Sequence, residues 1–155
     1  IEAIATHVPE ILVGAGTIVA PAQAKDALSA GAQFLVSPGT TDALAAAMQE
    51  TGLPHLPGAA TVSEVLRLRE LGYTEMKFFP AEAAGGVDFL KSVGSPVPQA
   101  RFCPTGGITA SSASSYLALA NVGCVGGSWL TPPDALLDRD WDRVVRLATE
   151  ATYLR

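Results

Sequence analysis

Short apolar runs ending in Gly, Pro or Ser recur along the 155-residue chain, at residues 11–16, 34–38, 53–57, 75–80, 101–107 and 122–128. After each run the apolar positions change to helical spacing. Pro21 stands at one helix opening, and Thr40 or Thr41 can cap the next. Thr61 and Glu64 have the spacing of a capping box. Gly31, Gly52 and Gly72 are placed to close three successive helices in the left-handed conformation. The repeat, roughly 20–25 residues, is the size of one strand and one helix with short loops. Strict alternation predicts parallel strands, buried on both faces and covered by helices.

Two architectures satisfy that pattern, an open doubly wound sheet and a closed (β/α)8 barrel. A doubly wound dinucleotide fold needs a glycine fingerprint after its first strand. Gly14-Ala15-Gly16 begins one, but Val19 stands where the last glycine belongs and Pro21 follows. The predicted fold is therefore α/β, a (β/α)8 TIM barrel. Ile1, Ile4 and Ala5 give helical spacing that Pro9 stops, a helix with no strand before it. Six strands are visible where a barrel has eight, and barrels run to about 250 residues. The expectation is one barrel domain over residues 1–155, with its first strand-helix-strand segment absent from the chain.

Composition narrows the partners. Hydrophobic residues make up 48% and charged ones 16%, which fits a packed globular chain. A net charge of -5 and no basic stripe with interleaved aromatics argue against nucleic acid. No apolar run approaches the roughly twenty residues of a membrane span. Cys103 and Cys124 each lie in an apolar, β-like segment and are expected to be buried thiols of a reducing cytosol. His7 and His55 have no ligand-like spacing, so neither a metal nor a cofactor is expected.

Candidate chemistry centres on one lysine. Lys25 and Lys91 fall in helical segments with polar neighbours, whereas Lys77 sits in Met76-Lys77-Phe78-Phe79-Pro80. Alternation puts Lys77 and Phe79 on one strand face, Met76 and Phe78 on the other. A lysine there can blunt an edge strand, but a closed barrel has no edge. Desolvation favours the free amine, which can attack a ketone, and the resulting iminium is an electron sink that permits metal-free C–C cleavage.

Thr105-Gly106-Gly107 and Gly126-Gly127-Ser128 end consecutive strands, where barrels often bind phosphate through backbone N–H groups. Singly, each glycine pair is also a tight turn. Glu82 is the one acid two residues beyond Pro80, and a loop or helix-start acid is the competing reading. Glu10 and Glu75 precede strands, on the face that barrels use for stability.

Together, Val13-Gly14-Ala15-Gly16-Thr17, Ser37-Pro38-Gly39, Lys77-Phe78-Phe79-Pro80-Ala81-Glu82, Pro104-Thr105-Gly106-Gly107-Ile108 and Gly126-Gly127-Ser128-Trp129-Leu130 resemble the 2-keto-3-deoxy-6-phosphogluconate (KDPG) aldolases. Those enzymes often also act on 4-hydroxy-2-oxoglutarate (KHG). The resemblance implies a class I aldolase that cleaves a keto-acid phosphate to pyruvate and glyceraldehyde 3-phosphate, with Lys77 forming the Schiff base. It implies that Thr17 contacts the keto-acid carboxylate, that Pro38 and Phe79 line the pocket, and that Thr105 holds the substrate. Gly106, Gly107, Gly127 and Ser128 would take the phosphate. Phosphogalactonate aldolases usually carry Val-Gly-Gly in place of Thr105-Gly106-Gly107, which favours the gluconate branch. The resemblance also implies a cytoplasmic homotrimer. The family's catalytic glutamate and carboxylate-binding arginine belong to the second strand, and no residue of this sequence matches either. Two other readings are an idle barrel fragment or assembly scaffold that retains anion binding, and an epimerase barrel, which would need acid–base pairs or a metal.

Overall fold

The structure, a computed structural model, describes residues 1–154. It is an α/β fold of short parallel strands and helices in two compact units, one running to Phe79 and one from Pro80 onward.

In the first unit the helices are α1 (Glu2–His7), α2 (Pro21–Ser29), α3 (Asp42–Glu50) and α4 (Val62–Glu70). The strands are β1 (Gly14–Ala15), β2 (Phe34–Val36), β3 (His55–Leu56), β4 (Gly58–Ala59) and β5 (Glu75–Phe78). Strands β1, β2 and β3 pair in parallel, with Gly14 opposite Phe34 and Leu35 opposite His55. Strand β4 pairs in parallel with β5, Gly58 opposite Lys77. Alanines, Leu35, Leu44 and Met48 fill a core under β1, β2, α2 and α3.

The helix boundaries follow the local chemistry. Pro21 opens α2, and Thr41 accepts a hydrogen bond from the Leu44 amide. Thr61 and Glu64 form the reciprocal capping box of α4. Gly31, Gly52 and Gly72 all have positive φ where α2, α3 and α4 end.

The run at residues 53–57 is not the single strand that its apolar pattern predicts. Pro57 has no N–H to donate, so pairing breaks there into β3 and β4. The Leu56 carbonyl accepts from Ser37 and the Pro57 carbonyl from Lys77. One short segment thereby hydrogen-bonds β2 on one side and β5 on the other.

The second unit contains α5 (Gly86–Gly94), β6 (Arg101–Pro104), α6 (Ala110–Leu117), a 3-10 turn (Ser128–Leu130), α7 (Pro133–Leu137) and α8 (Trp141–Ala151). The strand predicted at residues 122–128 is reduced to two isolated parallel bridges, Phe102 with Val122 and Thr105 with Gly126. Gly123 donates to the Phe102 carbonyl and Gly126 to the Pro104 carbonyl. Two residues of β6 thus oppose three of the neighbouring segment. Pro104 again lacks the donor that would hold the ladder in step, and the chain bulges at Cys124.

That bulge corrects the expectation for the thiols. Cys124 is exposed and Cys103 half-buried, and neither forms a disulfide. A hydrogen bond from Cys103 lowers the Cys124 pKa. No helix among the described residues is long and apolar enough to cross a membrane.

Candidate functional site

In the first unit, β5 alternates as its sequence demands. Met76 and Phe78 are fully buried, while Lys77 and Phe79 share the other, partly accessible face. The Lys77 Nζ lies 4.8 Å from the centre of the Phe79 ring. That contact favours a cation at this nitrogen by about 0.5–1 kcal/mol. The Lys77 amide donates to Pro57 at 2.8 Å, and the Phe79 amide to Ala59 at 3.4 Å. The base of the lysine is therefore fixed by Pro57 and β4.

Two loops of the same unit carry the other candidates. Thr17, just past β1, holds φ at +61°. A β-branched residue pays for that left-handed conformation, about 1–3 kcal/mol, a kind of strain concentrated at binding sites. Pro38 follows Ser37 at the end of β2, and its carbonyl packs against Gly58. A Cβ at Gly58 would lie 2.2–2.3 Å from the Pro38 carbonyl carbon and oxygen, so only glycine admits this approach.

Sequence reasoning missed the polar cluster behind this turn. Ser37 is fully buried, and its Oγ meets the Gly58 amide, the Thr40 hydroxyl and His55 Nε2. His55 Nδ1 in turn meets the Tyr73 hydroxyl at 2.9 Å. Burial lowers the His55 pKa to about 4, so the ring is neutral near pH 7. Ser37, His55 and Tyr73 are 18 residues apart in succession. Their equal spacing, shorter than the repeat of roughly 20–25 residues read from the apolar runs, is the one signal in the sequence that links them.

The second unit presents the glycine loops. Gly106 and Gly107 both have positive φ, +98° and +81°. A Cβ on Gly107 would sit 2.8 Å from Glu82 Cγ. Glu82 itself is committed elsewhere: its Oε1 accepts the Tyr116 hydroxyl at 2.7 Å, and its amide donates to Gly106 at 3.1 Å. Burial, and then the neighbouring carboxylate, pushes the Tyr116 pKa up. Of the two readings of Glu82, the loop acid fits: it anchors the glycine turn.

Thr105 Oγ1 is buried and makes no hydrogen bond to the described residues. Gly127 is crowded for a different reason from Gly107. Its backbone is extended, but the Trp129 ring would lie 1.8–2.0 Å from a Cβ. Ser128 starts the 3-10 turn. Among the described residues no three His, Cys, Asp or Glu side chains gather to hold a metal ion.

Comparison with known proteins decides the family. The family model for KDPG and KHG aldolases matches residues 1–147. This chain belongs to the KDPG and KHG aldolase family. A KHG/KDPG aldolase of Escherichia coli K12 is 52% identical over 151 residues, 97% of this chain and 71% of that protein. The KDPG aldolase of Legionella pneumophila, with pyruvate captured as a covalent carbinolamine intermediate, has a TM-score of 0.94 at 43% identity. The match covers 97% of this chain and 73% of that one. The KDPG aldolase of Zymomonas mobilis ZM4, solved with 3-phosphoglycerate, has a TM-score of 0.89 at 41% identity over 98% of this chain and 71% of that one. The five motifs that carry the resemblance all fall inside the region matched by the aldolase family model.

Proposed function

We propose that this aldolase cleaves KDPG to pyruvate and glyceraldehyde 3-phosphate through a Schiff base on Lys77, and also KHG to pyruvate and glyoxylate. The supporting observation is the Lys77 amine over the Phe79 ring, on a strand whose opposite face is fully buried. Lys77 attacks the C2 ketone, and the carbinolamine loses water to give an iminium. The cation stays over the same ring and draws the C3–C4 electron pair into an enamine as that bond breaks. The C4 hydroxyl loses its proton and departs as the aldehyde. The enamine takes a proton at C3, and water then releases pyruvate and the amine. The C4 hydroxyl proton passes to a general base, a role separate from that of Glu82 Oε1, which accepts the Tyr116 hydroxyl.

In this reading Thr17 contacts the keto-acid carboxylate, Pro38 and Phe79 line the pocket, and Thr105 hydrogen-bonds the substrate. Gly106, Gly107, Gly127 and Ser128 receive the phosphate on backbone N–H groups. Residues 1–155 belong to a single (β/α)8 barrel domain, supported by the parallel pairings and the strand-helix alternation. The family resemblance adds a cytoplasmic homotrimer, which sedimentation of the purified protein checks.

Pyruvate with borohydride tests the mechanism. Peptide mapping is expected to find the reduced adduct on the peptide that spans Met76 to Pro80, and Lys77→Met to abolish both labelling and cleavage. A label confined to Lys25 or Lys91 would overturn the assignment.

A further inference from the structure

The cluster around buried Ser37, behind the Pro38 turn, has a fixed hydrogen-bond order. Thr40 donates its only hydroxyl proton to the Gly58 carbonyl at 3.2 Å. The 3.0 Å contact between Ser37 Oγ and Thr40 Oγ1 must then use the Ser37 proton. With that proton spent, His55 Nε2 has to donate to Ser37 Oγ, across 3.3 Å. Nδ1 is left as the acceptor for the Tyr73 hydroxyl. Ser37 Oγ also accepts the Gly58 amide at 3.3 Å, so it gives one bond and takes two. Each donor in the chain from Tyr73 to the Gly58 carbonyl has one acceptor, and His55 is neutral with its proton on Nε2.

The His55 and Tyr73 rings lock one another edge to face, 5.2 Å between centres and 86° between planes. Burial raises the Tyr73 pKa, keeping its hydroxyl proton in place. The far end of the chain touches two candidate elements of the site. Ser37 directly precedes Pro38, and Gly58 stands opposite Lys77 in the β4–β5 register. Gly58 also packs its Cα against the Pro38 carbonyl, so a shift at Ser37 passes to both.

We propose that His55 and Tyr73 are positioning residues which, through Ser37, hold the Ser37-Pro38-Gly39 turn at the distance from β5 that a bound keto acid requires. The inference rests on the reading of Lys77 and Pro38 given above. The turn touches the substrate's apolar side and performs no chemistry, so its displacement weakens binding while the chemical step at Lys77 proceeds.

Three variants test this: His55→Leu, His55→Gln and Tyr73→Phe. Leucine keeps the apolar bulk and removes both nitrogens. Glutamine returns an amide donor at the reach of Nε2. His55→Leu is expected to raise KM for KDPG and the apparent Kd for pyruvate by about three- to tenfold, the effect of one lost hydrogen bond. Its kcat should stay within about twofold, a range too small for loss of an acid or base. His55→Gln should recover most of that loss, and Tyr73→Phe should show a smaller rise in KM. An unchanged KM in His55→Leu overturns the proposal. So does a KM that rises equally in His55→Gln, or a fall in kcat that accompanies it. Wild-type protein that forms no borohydride adduct with pyruvate sinks the reading of Lys77 itself, an outcome separate from any of these.

Discussion

At the scale of single residues, glycine positions differ in what they tolerate. Gly127 is extended, and its difficulty is the Trp129 ring, a flexible side chain that can swing away. Gly107 has positive φ and also faces the Glu82 stem, which Tyr116 holds from the other end. Gly107→Ala therefore meets backbone strain of about 1–2 kcal/mol, together with a contact that cannot relax without breaking the Tyr116 bond. The variant is expected to melt earlier and to lose affinity for KDPG far more than for pyruvate, which has no phosphate. Equal losses for the two ligands would argue against a phosphate role for this turn. His55 yields a prediction of opposite character. Its folded pKa, about 4, lies below the ordinary 6.5, so the unfolded chain binds the extra proton in the interval between. Its contribution to stability is fully present above pH 6.5 and declines as pH falls from 6.5 toward 4. Chemical denaturation at pH 7 and pH 5 should show a smaller pH dependence in His55→Leu than in wild type. Lys77 was legible as a candidate from its neighbours alone. His55 was not, because its partners come from adjacent repeats and no short window of sequence contains them.

At the scale of elements, helix ends were more legible than strand ends. A cap is a local contract between residues three apart, and Thr61 with Glu64 keeps it as written. Glu64 accepts the Ala60 and Thr61 amides, while Thr61 accepts the Glu64 amide. Thr61→Ala removes the hydroxyl half of that exchange and is expected to destabilise by about 1 kcal/mol. Urea unfolding checks it, and restoration by Thr61→Ser would assign the loss to the oxygen rather than to the methyl. Strand ends depend on partners that are distant in sequence. Two of the places where strand pattern and structure part have a proline facing a ladder: Pro57 between β3 and β4, and Pro104 against the bulge at Cys124. The prolines were visible in the sequence, but which carbonyls and amides they would face was not. The same bulge turned out Cys124, which its apolar neighbours had placed among buried residues.

At the scale of the whole molecule, charge and chemistry constrain each other. A chain of net charge -5 does not attract an anionic keto-acid phosphate by its overall field, so binding has to come from local groups. In the proposed reading, backbone amides at the glycine turns take the phosphate and the positive charge arises on the Lys77 iminium, so no basic patch is needed. Metal-dependent aldol chemistry would answer it differently, with a divalent ion polarising the ketone and offsetting substrate charge. The two routes are separable in one experiment on the intact protein. Treatment with EDTA followed by desalting is expected to leave KDPG cleavage unchanged. Pyruvate with borohydride should abolish it, with a gain of one reduced pyruvate per chain in the intact mass. If chelation removed activity and a divalent ion restored it, Lys77 would have to be recast as a binding cation and the Schiff-base route abandoned. If neither treatment mattered because cleavage was absent while inorganic phosphate still bound, the scaffold reading would replace the enzyme.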